Sequence, residues 1–305
     1  MSLFVSTLLN PIFPICAVML IGIFFAKCKL FDAPNAQAVN KFVFYVAMPA
    51  LLFGLLTNND FSQMNMRLPL AYLLCEAVIF FCAFLISRFF LKRSIEESLL
   101  LAMAASFVNH AFFVLPIASI LYGEKAAELI TITIVLDNIV LFGGMTITME
   151  LLRNRQESRF NTAKKIFINP VIIAICMGCL VNFLHIDLHE GFHTYTGFVG
   201  KAAAPASMFA LGIIIAAKIK RRIDVGALSI TSLKLILFPS LIWAATMWLD
   251  LPEGVSKRTL MLTSAGPCGA MPFVLAVQYR VNPNSIGLAI VYSTLFSLFT
   301  LALAS

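Results

Sequence analysis

Long apolar runs alternate with short polar connectors along this chain. The pattern predicts an all-α polytopic membrane protein with ten transmembrane helices, near 6–27, 37–57, 68–91, 97–122, 126–151, 166–186, 196–217, 226–249, 258–279 and 284–304. At 1.5 Å per helical residue, runs of this length cross a hydrocarbon layer of about 30 Å. Two runs are interrupted at matching places. The fourth reads AASFVNHAFFVLPIASILYG, with Asn109 and Pro116, and the ninth reads TSAGPCGAMPFVLAVQY, with Pro267 and Pro272. Proline removes one helical N–H and its ring clashes with the carbonyl four residues back. Lipid offers the freed groups no partner, so such backbone must face protein or trapped water.

The pattern also repeats. Asn10-Pro11 opens the first run and Asn169-Pro170 the sixth; AMPALLF (47–53) in the second matches AAPASMF (203–209) in the seventh; ITIVLDN (132–138) matches LAIVYST (288–294). Residues 1–152 thus form one five-helix repeat, 153–165 a basic linker, and 166–305 a second repeat. An odd number of crossings per repeat turns the second copy upside down. Interrupted segments in corresponding positions of inverted repeats point to the binding site of a secondary transporter.

Composition supports the membrane reading, with 60% hydrophobic and 12% charged residues. A soluble domain of this size would have to wet its surface with more polar side chains. The net charge of +7 does not point to nucleic acid, because the basic residues sit in the connectors. Sixteen Lys and Arg fall on the side of the odd-to-even connectors, from Lys27 through Arg153 to Arg280, against Arg67, Lys125, Lys257 and Arg258 on the other. The positive-inside rule then puts both termini outside the cytoplasm of a cell inner membrane. The first run has no basic leader or cleavage pattern and reads as a retained span. Seven cysteines, an odd number and almost all within apolar runs, are not a disulfide framework. Cys176 and Cys179 form a CxxC without polar company and read as small core residues.

The candidate chemistry lies in the two interruptions. Half-helix N-termini carry partial positive charge, so two that cross near the midplane attract an anion. Neither 104–118 nor 262–279 contains Asp or Glu, which favours a small anion over a directly held cation. The substrate-binding candidates are Ser106, Asn109, His110, Pro116, Ser264, Gly266, Pro267, Cys268, Gly269 and Pro272. The plainer roles are a helix–helix hydrogen bond for Asn109, a buried neutral side chain for His110, and close packing for the glycines. On a continuous helix His110 would point about 100° away from Asn109. Three charges within spans, Glu76, Asp137 and Lys234, need partners. One carboxylate would take a coupling proton while Lys234 adds positive field, the alternative being a structural ion pair or a snorkelling side chain. His185, His189 and His193 have metal-like spacing, but Gly191 interrupts the helix that such ligands need, so no metal is expected. There is no nucleophile–base pair or HExxH, so neither an enzyme nor a cofactor is indicated.

Several segments, in this order and spacing, resemble the auxin efflux carrier family: NPIFPICAVMLIGIFFAK (10–27), VNKFVFYVAMPALLF (39–53), NHAFFVLPIA (109–118), LKLILFPSL (233–241) and the end from Gly266. Bacterial members are small permeases, some for malonate or malate. The resemblance implies two inverted five-helix repeats, related in fold to bile acid–sodium symporters and sodium–proton antiporters. It also implies a scaffold of the first, second, sixth and seventh spans, a moving bundle with crossed fourth and ninth, and a homodimer. Ala111 stands where many members have Gly, and Met271 near where many have Asn. The expected function is secondary transport of a small carboxylate such as malonate or malate, or an auxin-like acid, by alternating access with H+ or Na+ as the coupling ion. The alternatives are a sodium-coupled bile-acid-like symporter, a passive anion channel, or a sensor with a transporter fold.

Overall fold

The computed structural model describes residues 2–57, 66–153, 159–218, 224–248 and 254–304, and every regular element among them is helical. Arg155, Lys220, Arg221 and Arg222 of the charge asymmetry lie outside the described residues, as do parts of the expected outer crossovers. In chain order the helices are α1 (Ser2–Lys27), α2 (Ala33–Thr57), α3 (Arg67–Phe90), α4 (Ile95–Ser106), α5 (110–122), α6 (124–153) and α7 (Arg159–Ile168). They continue with α8 (Pro170–Phe183), α9 (Glu190–Gly200), α10 (Ala203–Lys218), α11 (Val225–Trp248), α12 (Val255–Ser264), α13 (Met271–Gln278) and α14 (Asn284–Ala304). Five helices among the described residues are long and apolar enough to cross a membrane: α2, α3, most of α6, α9 running on into α10, and α11. Their outward faces carry large apolar side chains that water would not tolerate in such number, among them Phe81, Phe198 and Trp248.

Helix starts follow local chemistry. Asp32 and Asn35 cap α2 reciprocally, Ser94 accepts from the Glu97 N–H to start α4, and Asp224 accepts from Ala227 to start α11. Asn169 caps Val171, with Pro170 as the first helical residue, and so ends α7 and begins α8. The expected connector 153–165 therefore carries the beginning of a helix, from Arg159, and the sixth apolar run starts as a helix at Pro170 rather than at 166.

Five helical stretches among the described residues widen to i→i+5 bonding, and in three of them, over 43–47, 110–114 and 233–237, the widened turn ends two residues before a proline: Pro49, Pro116 and Pro239. The cause is the ring, which cannot sit against the carbonyl four residues back, so the preceding N–H reaches one residue further. Met48 bonds Val43, Leu115 bonds His110, and Phe238 bonds Leu233.

The helices pack as two groups. One joins α1, α2, α8, α9 and α10; the other joins α3 to α6 with α11 to α14. In the first group small residues let backbones touch. A Cβ on Gly22 would meet Phe209 O and one on Gly212 would meet Met19 O, so α1 and α10 lie in direct backbone contact. Gly200 admits the Leu51 backbone and Gly178 the Leu56 side chain, which brings α9 and α8 onto α2. Between helices in lipid this close packing supplies much of the attraction, because tails are as apolar as leucine.

Candidate functional site

The interruptions in the fourth and ninth apolar runs meet. Residues 107–109 separate α4 from α5 and 265–270 separate α12 from α13, and the two extended stretches pair antiparallel at Val108 and Cys268. The Gly269 N–H donates to Phe107 O at 2.8 Å and the Asn109 N–H to Pro267 O at 2.9 Å. The contact needs glycine: a Cβ on Gly269 would stand 2.5 Å from the Phe107 ring, and one on Gly266 would stand 2.5 Å from Val114. Neighbouring helices take up further freed groups. The Cys268 N–H donates to Ser293 Oγ at 3.0 Å, Thr300 Oγ1 donates to Ala265 O at 2.9 Å, and Lys234 Nζ donates to Ser264 O at 3.3 Å. Lys234 thus places a cation on the carbonyl end of α12, where the helix dipole favours one.

Asn109 has φ −79° and ψ 67°, outside the helical region. The 100° offset expected from a continuous helix therefore does not apply, and His110 turns into the bundle. The Asn109 side-chain amide is 9% exposed and makes no hydrogen bond to a described residue. Ser106 and Ser264 differ from expectation: their hydroxyls donate to Ala102 O and Met261 O of their own helices and are fully buried. A serine bonded back to its own turn offers little to a ligand. Pro272 lies in the first turn of α13, where a missing N–H costs nothing, whereas Pro116 lies inside α5, just past its widened turn.

Around the crossing lies a buried polar chain that local sequence did not reveal. Tyr72 and Glu76 are one turn apart on α3, and both are at most 1% exposed. Tyr72 Oη stands 3.2 Å from His110 Nε2, and His110 Nδ1 stands 3.2 Å from Asp137 Oδ2 on α6. The Tyr72 hydroxyl can donate to Nε2. Both oxygens of Asp137, and Oε1 of Glu76, are buried without a hydrogen-bond partner among the described residues, so the approach of Asp137 to the imidazole is a close contact rather than a hydrogen bond. Glu76 and Asp137 are neighbours in the same buried pocket, where two carboxyl groups interact electrostatically. The Phe238 ring packs on both Tyr72 and the Lys234 ammonium, the latter at 4.2 Å.

The breaks themselves hold no acid, yet α3 and α6 deliver two to His110. The structure also brings together Glu76, Asp137 and His110, three candidates that sequence separates by up to 61 positions. Tyr72, Ser293 and Thr300 went unnoticed because single hydroxyls in apolar runs carry no local signal. The expected histidine trio resolves into separate roles: His185 ends α8 in a left-handed turn, and His189 Nδ1 accepts from the Gly191 N–H to cap α9.

Comparisons with known proteins agree in kind. A proposed malonate transporter of Rhizobium meliloti is 23% identical over 95% of this chain and 92% of its own length. Auxin efflux carrier component 8 of Arabidopsis thaliana is 22% identical over 94% and 93%. The sodium proton antiporter MjNhaP1 of Methanocaldococcus jannaschii superposes with a TM-score of 0.54 at 14% identity, covering 95% of this chain and 89% of that one, which is a likeness of fold. The family described as membrane transport protein matches residues 7–305, and the chain belongs to that family, together with the auxin efflux carriers.

Proposed function

We propose that the chain is a secondary transporter of a small organic anion, built from two inverted five-helix units. The α1, α2, α8–α10 group serves as scaffold, and the remaining helices move against it as one body by alternating access. The supporting observation is the crossing itself, at which Asn109 presents a nearly buried amide with no hydrogen-bond partner among the described residues. Beside it, the N–H groups of Ala270 and Met271 at the start of α13 have no hydrogen-bond acceptor among the described residues. A buried donor left unmatched costs about 1–3 kcal/mol, and a carboxylate oxygen would remove that cost. Malonate is the substrate class suggested by the Rhizobium meliloti relative.

The same reading assigns the driving ion. Glu76, Asp137, His110 and Tyr72 form a chain of exchangeable protons within the moving body, and Lys234 lies in the same buried neighbourhood without an ion-pair contact to either acid. A sodium ion held by these acids would need several oxygen ligands beside a neighbouring lysine, whereas a proton needs only one carboxyl oxygen. Proton coupling is therefore favoured over sodium coupling. The test is uptake of labelled malonate into proteoliposomes holding the purified chain, driven by a pH gradient without sodium. Accumulation above the external concentration, lost in Asn109→Ala, is expected. Equilibration without accumulation would indicate a channel, and a strict need for sodium would overturn the proton assignment.

A further inference from the structure

The basic side of the protein holds a cavity of about 370 Å³ between the two helix groups. Its walls come from α2 (Gln37, Asn40, Lys41, Tyr45), from the end of α6 (Glu150, Arg153), and from the end of α13 and the turn after it (Gln278, Tyr279, Arg280). Two further cavities share part of its lining. One, of about 500 Å³, shares Arg153, Tyr279 and Arg280, and another, of about 400 Å³, shares Gln37 and Arg280. Arg280 lines all three.

The wall chemistry is one-sided. Lys41, Arg153 and Arg280 face one carboxylate, Glu150, which leaves a local excess of two positive charges. Glu150 is engaged by the Tyr279 hydroxyl at 3.0 Å. The negative end of α13 does not cancel the excess, because its last carbonyls are occupied. Asn40 Nδ2 donates to Val274 O, Tyr279 N–H to Leu275 O, Val281 N–H to Ala276 O, and Arg280 N–H to Val277 O. Polar hydrogen-bonding groups complete the wall: Gln37, the Tyr45 hydroxyl, and the Gln278 amide bonded to that hydroxyl at 2.7 Å.

We propose that this cavity is a second binding site, at the cytoplasmic mouth, for a dicarboxylate dianion, with Lys41, Arg153 and Arg280 as its charge partners. The proposal rests on the anion-transport reading and narrows it to substrates carrying two negative charges. Volume and charge both match, since 370 Å³ lies in the range of small-ligand sites and two carboxylates neutralise the excess. Guanidinium groups suit planar carboxylates because two N–H donors meet two oxygens. A mouth of this kind concentrates the anion where the scaffold and the moving body meet.

Titration calorimetry on the purified full-length chain near neutral pH, at fixed ionic strength, tests this with succinate, acetate and chloride. Succinate is expected to bind about tenfold or more tightly than acetate, with chloride weaker still. Lys41→Gln/Arg280→Gln should abolish that preference and raise the KM for uptake from the basic face about tenfold, with the maximal rate retained. Asn109→Ala should stop transport and leave succinate binding at the mouth. Unchanged succinate affinity in the double variant would overturn the proposal, as would loss of all succinate binding in Asn109→Ala. If the double variant behaves as expected while Asn109→Ala transports normally, the mouth site stands and the crossing site fails. A thermal melt of each variant separates loss of binding from loss of fold.

Discussion

At the residue scale, the buried chain Tyr72–His110–Asp137–Glu76 is the feature with the most consequence. Each member lies at least nine-tenths buried among helices of one body, so its proton inventory moves with that body. Asp137→Asn removes the carboxylate that stands 3.2 Å from His110 Nδ1, and with it one titrating group of the chain. Glu76→Gln keeps the shape and removes one titrating group. Under the proton-coupled reading both variants flatten the dependence of malonate uptake on pH, which uptake measured from pH 5 to 8 checks. Full pH dependence in both would end the coupling assignment. Lys234→Met removes the cation on Ser264 O and leaves a carbonyl orphaned at the end of α12. A lost charged hydrogen bond of this kind destabilises by about 1.5–3 kcal/mol, and a lowered melting temperature reports it. The loss should be partly reversed when Glu76→Gln is added, because the acid then no longer lacks a neighbouring cation.

At the scale of elements, the crossing is set by glycine and proline. Gly266 and Gly269 admit Val114 and Phe107 at distances no Cβ tolerates, so Gly269→Ala must push the Phe107 ring or separate the strands. Overpacking of this order costs about 1–3 kcal/mol, and a thermal melt should show it while Gly197→Ala, with open space around it, changes little. Two side-chain bonds tie α2 to α13 across the boundary between groups: Asn40 to Val274 O and Gln278 to Tyr45. Alternating access requires both to break. Tyr45→Phe/Gln278→Ala should therefore favour the state in which α13 leaves α2, read as faster labelling of a cysteine placed at position 277 by a membrane-permeant thiol reagent.

For the whole molecule, the packing divides into two helix groups, and the proposed alternating access assigns one as scaffold and the other as moving body. The group of α1, α2 and α8–α10 is held by backbone contact at Gly22 and Gly212, which suits a rigid scaffold. The other contains the crossing and all four members of the buried polar chain. Both depend on distant parts of the chain meeting, yet much of the plan was legible beforehand. The apolar runs located helices, Asn169-Pro170 marked a helix start, and Pro116 and Pro272 marked the interruptions. The basic connectors gave a side, although several of their residues lie outside the described ones.

What the sequence determined by itself was periodic or local: apolar length, proline, caps, and the order of segments shared with a family. These act through the backbone within a few residues, so they leave a readable pattern. Tertiary structure alone decided that Glu76 and Asp137 reach His110, that Lys234 grips Ser264 O, and that Ser106 and Ser264 turn back on their own helices. In an apolar helix the direction of a lone polar side chain is fixed by which neighbour packs against that face, and a single chain of letters does not record the neighbour. The two breaks held no acid, but the site they form does, because folding brought two acids to them from other helices.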